Sequence, residues 1–364
     1  MKIEKVISVL EEFAPVVLQE SYDNSGLILG SRQDEVSSAL ICLDVTEAIL
    51  DEAIENNFGI IISHHPLIFK GVKKLNSKNS VERIIVKAIK NNIAIYSIHT
   101  NADNVIAGVN GIIAARLGLI NTKALDEKKN LFRKLVTFCP LNKADKIRFA
   151  ISEAGAGQIG DYSHCSFNVD GVGTFRGNEN ANPYVGEKND LHREPETRLE
   201  VIYPVFKEKQ VVNALINAHP YEEVAYDLYQ LENQSPQFGA GLIGDLDEEL
   251  SEIDFLKALK DTFKVEVVRH SKFLNKTIKR VAVCGGSGSF LINHAKAAGA
   301  DIFITGDVKY HEFFEAEDQI IITDIGHYES EQFTKDLIYS ILIEKIPNFA
   351  LQISGQNTNP INYF

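Results

Sequence analysis

The sequence predicts an α/β protein in which two similar α/β units form one domain, interrupted by an inserted ferredoxin-like (α+β) domain. Short apolar strands alternate with amphipathic helices over residues 1–127 and again over residues 237–364, a pattern typical of a sheet covered on both faces. Residues 128–236 follow a different order of elements. A chain of 364 residues is also long for one domain.

The first unit is predicted to contain three buried strands, because the chain there is almost entirely apolar over short stretches. These strands are expected at residues 39–43, 58–62 and 93–98. Thr46 can cap a helix that joins the first two strands, and a second helix is expected over residues 81–91. Strands joined through helices are typically parallel, so their carboxyl ends should share one edge, which is the usual ligand-binding edge.

The last part of the chain repeats this pattern. Strands are expected at residues 280–284, 301–305 and 320–323, and a final helix carries Phe333, Leu337, Ile341 and Leu342. The order and spacing of strand, helix and strand match those of the first part, which indicates a diverged repeat. The middle part reads as strand, helix, two strands, helix and strand, the order of a ferredoxin-like unit, with residues 170–186 expected to form a loop.

Composition excludes several classes of protein. The formal net charge of −13 disfavours nucleic-acid binding, and no apolar run is long enough to span a bilayer. The four cysteines form no Cys-x-x-Cys pair, so we expect reduced thiols and a cytoplasmic location. The N-terminus carries an acidic residue at position 4 and does not resemble a signal peptide.

Residues of the kind that bind metals follow four of the predicted strands. They are His64 and His65, His99 with Asp103, Asp307 with His311, and Asp324 with His327. Each pair alone could be a polar strand end or a turn that satisfies its own backbone. Together they predict a metal cleft, because one sheet edge brings strand ends close to each other. Neighbouring residues of an extended chain point apart, so His64 and His65 would serve two ions, or one ion after a sharp turn.

Two glycine-containing segments add further candidates. In residues 326–331, His327 and Glu331 lie four positions apart, which is metal-ligand spacing on a helix, although acidic residues also favour a first helical turn without any metal. Gly285, Gly286 and Ser287 precede a predicted helix, where backbone amides could bind an anion. A tight strand-to-helix turn is the simpler interpretation, since the segment lacks the lysine of a P-loop.

Five motifs give this chain a resemblance to a known family. They lie at residues 22–27 (Tyr-Asp-Asn-Ser-Gly-Leu), 63–66 (Ser-His-His-Pro), 99–103 (His-Thr-Asn-Ala-Asp), 306–311 (Gly-Asp-Val-Lys-Tyr-His) and 326–331 (Gly-His-Tyr-Glu-Ser-Glu). In this order they resemble the NIF-three-like family of dinuclear-metal hexameric proteins, known as GTP cyclohydrolase 1 type 2 homologues. The middle part is similar to the PII/CutA-like insert of the longer members.

The resemblance implies a ligand set for two divalent metal ions per subunit. The implied ligands are His64, His65, Asp103, His327 and Glu331, with Asp103 and Glu331 as bridging carboxylates. His99, Asp307, His311 and Asp324 are expected to orient these ligands or bound water. A ligand set of histidines and carboxylates suits zinc, iron or manganese. The family also implies a homohexamer.

Two functions are compatible with these residues. The first is a metal-dependent hydrolase, in which no side chain is identified as catalytic and a metal-bound water would attack a nucleotide or a related small anionic substrate. The second is a non-catalytic metal-binding protein with a regulatory or assembly role and an insert that senses a ligand.

Overall fold

The computed structural model describes residues 1–364 and contains three β-sheets with helices between their strands. The strands are β1 (Gly26–Leu29), β2 (Ser38–Cys42), β3 (Ile60–Ser63), β4 (Ala94–Ser97), β5 (Ile120–Glu127), β6 (Phe132–Pro140), β7 (Phe167–Phe175), β8 (His192–Pro204), β9 (Tyr226–Leu231), β10 (Gly239–Ser251), β11 (Arg269–His270), β12 (Thr277–Ser287), β13 (Ile302–Gly306), β14 (Ile321–Asp324) and β15 (Ala350–Ile353). The helices are α1 (Ile3–Phe13), α2 (Glu47–Glu55), α3 (Ser80–Lys90), α4 (Thr100–Asp103), α5 (Val109–Arg116), α6 (Ala144–Glu153), α7 (Glu208–Ala218), α8 (Glu252–Phe263), α9 (Ile292–Ala297), α10 (His327–Glu331) and α11 (Thr334–Lys345). The predicted mixed α/β class is therefore confirmed.

The chain divides into two compact units. The main unit comprises Met1–Glu127 and Ser235–Phe364, and the middle unit comprises Lys128–Gln234. None of the helices combines the length and the apolar character that crossing a bilayer would require.

The main unit holds two sheets, one with four consecutive parallel strands and the other with three. One sheet has the order β1-β4-β3-β2-β15, and the other has the order β11-β14-β13-β12-β10-β5. Strands β2, β3 and β4 are parallel to each other, as are β12, β13 and β14. The apolar strand β3 is buried along its whole length, because neighbours flank it on both sides and helices α2 and α3 pack beside it.

The middle unit has a four-stranded antiparallel sheet with the order β7-β8-β6-β9. Alternate residues of β6 and β8 pack against helices α6 and α7, and together they form a core. Strand β7 runs to Phe175, so the expectation of a loop from residue 170 was wrong for its first six positions. Nine consecutive residues of β7 pair with β8, and this pairing outweighs the low strand propensity of Gly171 and Gly173.

Three further elements differ from the sequence prediction. Strand β12 continues through Ser287, so the glycines at 285 and 286 belong to the strand rather than to a turn. The helix predicted after Ser287 begins as a short 3-10 turn, Ser289–Leu291, before α9. Strand β15 pairs with β2 in the first sheet, a long-range pairing that local sequence patterns do not reveal.

Helix α3 offers a stability prediction. The Asn79 side chain accepts a hydrogen bond from the Glu82 amide at 2.9 Å and donates one to the Glu82 carboxylate at 2.9 Å. Replacing Asn79 with alanine removes both bonds and should lower the free energy of unfolding by about 1 kcal/mol. Urea denaturation measures the change, and Lys78→Ala, an exposed neighbour, should stay within about 0.5 kcal/mol of the parent. Equal stability of Asn79→Ala and the parent would contradict the role of the cap.

Candidate metal centre

The candidate site lies where the carboxyl ends of the parallel strands of the main unit meet. Strand β3 ends at Ser63, and His64 and His65 follow it directly. Helix α4, which follows β4 of the same sheet, supplies Asp103. The short helix α10, which follows β14 of the other sheet, supplies His327 and Glu331. Together, these five side chains form two overlapping groups. His64, Asp103 and Glu331 form one group, and His65, His327 and Glu331 form the other.

Glu331 is the residue that the two groups share. It is 3% exposed, and its Oε1 lies 3.6 Å from His64 Nε2. Its Oε2 lies 3.0 Å from His65 Nε2 and 3.1 Å from His327 Nε2. The two oxygens of one carboxylate therefore face two different sets of histidines.

The adjacent residues His64 and His65 both reach this carboxylate because the chain turns after β3. The Ser63 hydroxyl donates to the His65 carbonyl at 2.8 Å, which closes the turn. The two imidazole rings lie 4.8 Å apart at their centroids, tilted by 48°. Each ring thus faces a different oxygen of Glu331.

Each of the three histidines is held through its Nδ1 atom. His64 Nδ1 donates to the Ile98 carbonyl at 2.8 Å. His65 Nδ1 donates to Asp44 at 2.7 Å, and His327 Nδ1 donates to Asp307 at 2.7 Å. Because Nδ1 is occupied, Nε2 is the atom aimed at Glu331, and this is how histidine ligands of metals are usually oriented.

Two buried polar atoms at the site have no hydrogen-bond partner. They are His64 Nε2 and Asp103 Oδ1, which lie 3.7 Å apart. Unsatisfied buried polar atoms are costly and rare, and a metal ion would satisfy both at once. Gly286 adds to this fit, because a Cβ at that position would lie 2.3 Å from Glu331 Oε1. The residues present therefore fit a metal ion.

The electrostatics of the site follow from the buried carboxylate. Burial raises the pKa of Glu331, but nearby His64 and hydrogen bonds from His327 and His65 hold that pKa well below its usual range. Burial lowers the pKa of His65, but hydrogen bonds to Asp44 and Glu331 outweigh this and raise it to about 10. The pKa of His327 is likewise lowered by burial and raised overall, to about 9, mainly by Glu331. Burial raises the pKa of Asp103.

The four residues expected to orient the ligands occupy different places. Asp307 binds His327, as described. His99 lies with its ring centroid 5.2 Å from that of His64 and 5.4 Å from that of His65. Asp324 accepts hydrogen bonds from the Gly326 amide at 2.9 Å and the Val308 amide at 3.0 Å, and so fixes the turn before α10. His311 is exposed, and its ring contacts Tyr310 and Phe314.

The glycine segment at the end of β12 uses its amides within the protein. The Gly285 amide donates to Asn110 at 2.9 Å, and the Gly286 amide donates to the Ser330 hydroxyl at 2.9 Å. Ser287 lines the cavity beside the site. An anion would have to displace these side chains, so the anion-binding role of the segment stays a prediction that the hydrogen bonds do not favour.

Sequence reasoning missed three residues that organise the site. Asp44 holds His65, and Asp23 accepts from His99 Nδ1 at 2.8 Å. Thr358, in the segment after β15, donates to the other oxygen of Asp44 at 2.7 Å. Asp44 follows strand β2 and Asp23 lies in the motif at residues 22–27, so both positions carried a signal. Thr358 carried none, because its contact joins residues far apart in sequence.

A cavity of about 630 Å³ opens onto the site. Aromatic and apolar side chains form much of its wall, including Phe69, Phe290, Tyr22 and Tyr328. The segment after β15 closes one side with Asn359, Pro360 and Ile361. No lysine or arginine lines this cavity, so its wall offers no permanent positive charge to an anionic ligand.

Comparisons with known proteins identify the family. The sequence profile of Duf34/NIF3 (NGG1p interacting factor 3) matches residues 1–360. The chain belongs to the Duf34/NIF3 family. A Bacillus subtilis relative named GTP cyclohydrolase 1 type 2 homolog is 36% identical over 366 residues, covering 99% of this chain and 98% of the relative. A Halalkalibacterium halodurans relative with the same name is 38% identical, with the same coverage of 99% and 98%.

Solved structures of the family show the same fold. A Bacillus cereus protein related to NIF3 superposes with a TM-score of 0.87 at 38% identity, covering 100% of this chain and 99% of that chain. A Staphylococcus aureus protein superposes with a TM-score of 0.78 at 31% identity, with the same coverage of 100% and 99%. The resemblance drawn from the five motifs is therefore confirmed at the level of the family.

The raised pKa values of two histidines predict proton release on metal binding. At pH 7.5, His65 and His327 carry protons, because their pKa values of about 10 and 9 lie above that pH. A histidine must lose its extra proton to bind a metal, so binding should release about two protons, and affinity should rise as pH increases toward 9. Calorimetric titration with zinc in buffers of different ionisation enthalpy counts the protons. Binding without proton release would contradict this account.

Removing an orienting carboxylate should weaken metal binding. The variant Asp307→Asn keeps the left-handed backbone at residue 307 (φ 55°) but replaces the charged acceptor of His327. We expect about 10–100-fold weaker zinc affinity, measured against a competing chelator. The matched control is Asp318→Asn, at an exposed position with φ 54°, which should leave the affinity unchanged. Equal losses in both variants would mean that Asp307 acts only through net charge.

Proposed function

We propose that this protein is a hydrolase that uses two divalent metal ions to act on a nucleotide or a related anionic substrate. The supporting observation is Glu331, a buried carboxylate whose two oxygens face separate histidine groups. In this proposal His64, Asp103 and Glu331 hold one ion, and His65, His327 and Glu331 hold the other. Divalent ions held there would supply Lewis-acid polarisation of the reacting group of the substrate.

The side chains around these ligands have two tasks in this proposal. Asp44 and Asp307 keep two imidazoles oriented through Nδ1, and the aromatic wall of the cavity limits the access of water. His99 lies against both His64 and His65 and is held by Asp23. His99 is therefore the side chain placed to move a proton to or from a substrate that binds beside the two groups of metal ligands. A bridging role for Asp103 stays a prediction, since Asp103 falls in only one of the two groups with Glu331.

The name of a relative and the size of the cavity support the proposed substrate. The Bacillus subtilis relative is named GTP cyclohydrolase 1 type 2 homolog, which suggests attack on the purine ring of GTP with release of formate. A cavity of about 630 Å³ is of the size that small-molecule sites usually have. Zinc, iron and manganese are all proposed metals, because histidine and carboxylate ligands suit each of them.

The lining of the cavity also favours a second candidate function. Because no lysine or arginine lines it, attraction for a phosphate would depend on the histidine cluster or on metal ions bound there. A non-catalytic metal-binding protein with a regulatory or assembly role would need no such attraction. The two candidates differ in whether any substrate is turned over when the metal site is full.

The sheet order of the middle unit and the family membership support proposals about domain organisation and oligomeric state. We infer that residues 128–236 form an inserted ferredoxin-like domain, PII/CutA-like by sequence, because the order β7-β8-β6-β9 with helices α6 and α7 is that of a split βαβ unit. The two flanking segments, 1–127 and 237–364, then form the metal-binding domain.

We also propose that the protein is a homohexamer located in the cytoplasm. Light scattering of the purified protein tests the hexameric state.

The enzymatic proposal predicts loss of activity on changing the shared carboxylate. Protein loaded separately with zinc, iron or manganese is assayed for formate release from GTP and for hydrolysis of a nucleotide panel. The variant Glu331→Gln should lose bound metal and at least about 100-fold of the activity. The control Glu344→Gln, on the later helix α11, should retain both. A metal-loaded parent that turns over no compound in the panel would overturn the hydrolase and leave the non-catalytic function.

A further inference from the structure

A second cavity lies wholly within the middle unit, on the face of its sheet that points away from helices α6 and α7. The core face carries Leu199 and Val201 of β8, so Glu196 and Arg198, which alternate with core residues, lie on the opposite face. The cavity has a volume of about 710 Å³. Its wall includes Phe138, Phe175, Glu196, Arg198 and Tyr221, and we call it the insert cavity.

Glu196 is a buried carboxylate that no cation neutralises. It is 9% exposed, and its Oε1 accepts a hydrogen bond from the Tyr221 hydroxyl at 2.8 Å. Arg198, two residues along β8 and on the same face, pairs instead with Glu200 at 2.9 Å. Burying a carboxylate without a cationic partner is costly, so this arrangement favours a ligand that supplies the missing charge.

The nearby histidine does not supply that charge. His219 lies against the Tyr221 ring, with centroids 4.9 Å apart. Its Nε2 donates to the Phe138 carbonyl at 3.0 Å, and its Nδ1 accepts from the Tyr221 amide at 3.1 Å. A ring that donates through one nitrogen and accepts through the other is neutral, and burial lowers the pKa of His219.

Aromatic rings surround the carboxylate on the cavity side. The Tyr221 centroid lies 6.2 Å from that of Phe175 and 6.0 Å from that of Tyr184. The faces of such rings attract cations. The charged side chains of the lining are four acids and two arginines: Asp170, Glu196, Glu222, Glu223, Arg176 and Arg198. Rings and excess acids together favour a positively charged ligand.

A glycine of the neighbouring strand makes room for this carboxylate. A Cβ at Gly173 would lie 1.9 Å from Glu196 Oε2, which is far below any contact distance. Glu196 Oε2 therefore occupies the space that the Cβ of any other residue at position 173 would need. At Gly171, two residues earlier on the same strand, a Cβ would meet nothing within 4 Å. The close approach is thus specific to Gly173, although Gly171 is the residue that pairs with Glu196 across the two strands.

We propose that the insert cavity binds a small organic cation with a planar guanidinium or amidinium group. Its N–H groups would donate to Glu196, and its plane would lie against the rings of Tyr221, Phe175 and Tyr184. This pairing satisfies the buried carboxylate and places the charge where the lining is acidic. The site lies outside the candidate metal centre and does not depend on the proposed hydrolase activity.

Calorimetric titration of the full-length protein with agmatine tests the proposal. We expect saturable binding of one agmatine per chain, and the variant Glu196→Gln should bind about tenfold or more weakly because it loses a buried charge pair. The control Glu187→Gln removes the same charge from an exposed position and should change the affinity less than twofold. No agmatine binding by the parent, or equal binding by both variants, would overturn the proposal.

A glycine pair gives an independent test. Gly173→Ala should displace the Glu196 carboxylate and weaken agmatine binding about as much as Glu196→Gln does, whereas Gly171→Ala should weaken it much less. Melting curves without agmatine separate a ligand-binding role from a structural one. Glu196→Gln should melt at a higher temperature than the parent, because an unpaired buried charge is removed. A lower melting temperature for this variant, or binding of neutral guanosine in place of agmatine, would contradict a cation site.

Discussion

The structure of the main unit depends on one buried carboxylate, that of Glu331. A carboxylate that is 3% exposed stays ionised only if positive charge or hydrogen-bond donors surround it. Here the histidines that approach both of its oxygens meet this need, and they arrive from two different sheets. Because His64 and His65 follow β3 while Glu331 and His327 come from α10, the site exists only when both halves of the main unit are assembled around it.

The second requirement is that the imidazole rings are held in a fixed orientation. The protein holds them through Nδ1, so that Nε2 faces Glu331. A backbone carbonyl holds His64, and the carboxylates of Asp44 and Asp307 hold His65 and His327. Asp44 is in turn bound by Thr358, so the segment after β15 helps to fix a ligand. This chain of contacts explains how residues more than 300 positions apart in sequence contribute to one site.

The sequence was informative where local pattern decides the structure. Apolar stretches predicted the parallel strands, and helix spacing paired His327 with Glu331, while the set of five metal ligands was implied by the family resemblance. Local sequence pattern does not show which distant segment pairs with a strand or hydrogen-bonds to a side chain. The pairing of β15 with β2 and the contact of Thr358 with Asp44 were therefore not predicted. Part of β7 was assigned to a loop because its glycines lower strand propensity, whereas nine of its residues pair with β8. His311 shares a motif with Asp307, yet its side chain is exposed, because residues near each other in sequence need not point to the same place.

The central claim is that Glu331 lies between two metal ions. Anomalous X-ray diffraction from crystals of the zinc-loaded protein measures this directly. We expect two anomalous peaks, one at about 2.0–2.2 Å from His64 Nε2 and a carboxylate oxygen of Asp103, and one at a similar distance from His65 and His327. Each peak should contact a different oxygen of Glu331. A single peak, or peaks that Glu331 does not contact, would contradict the account.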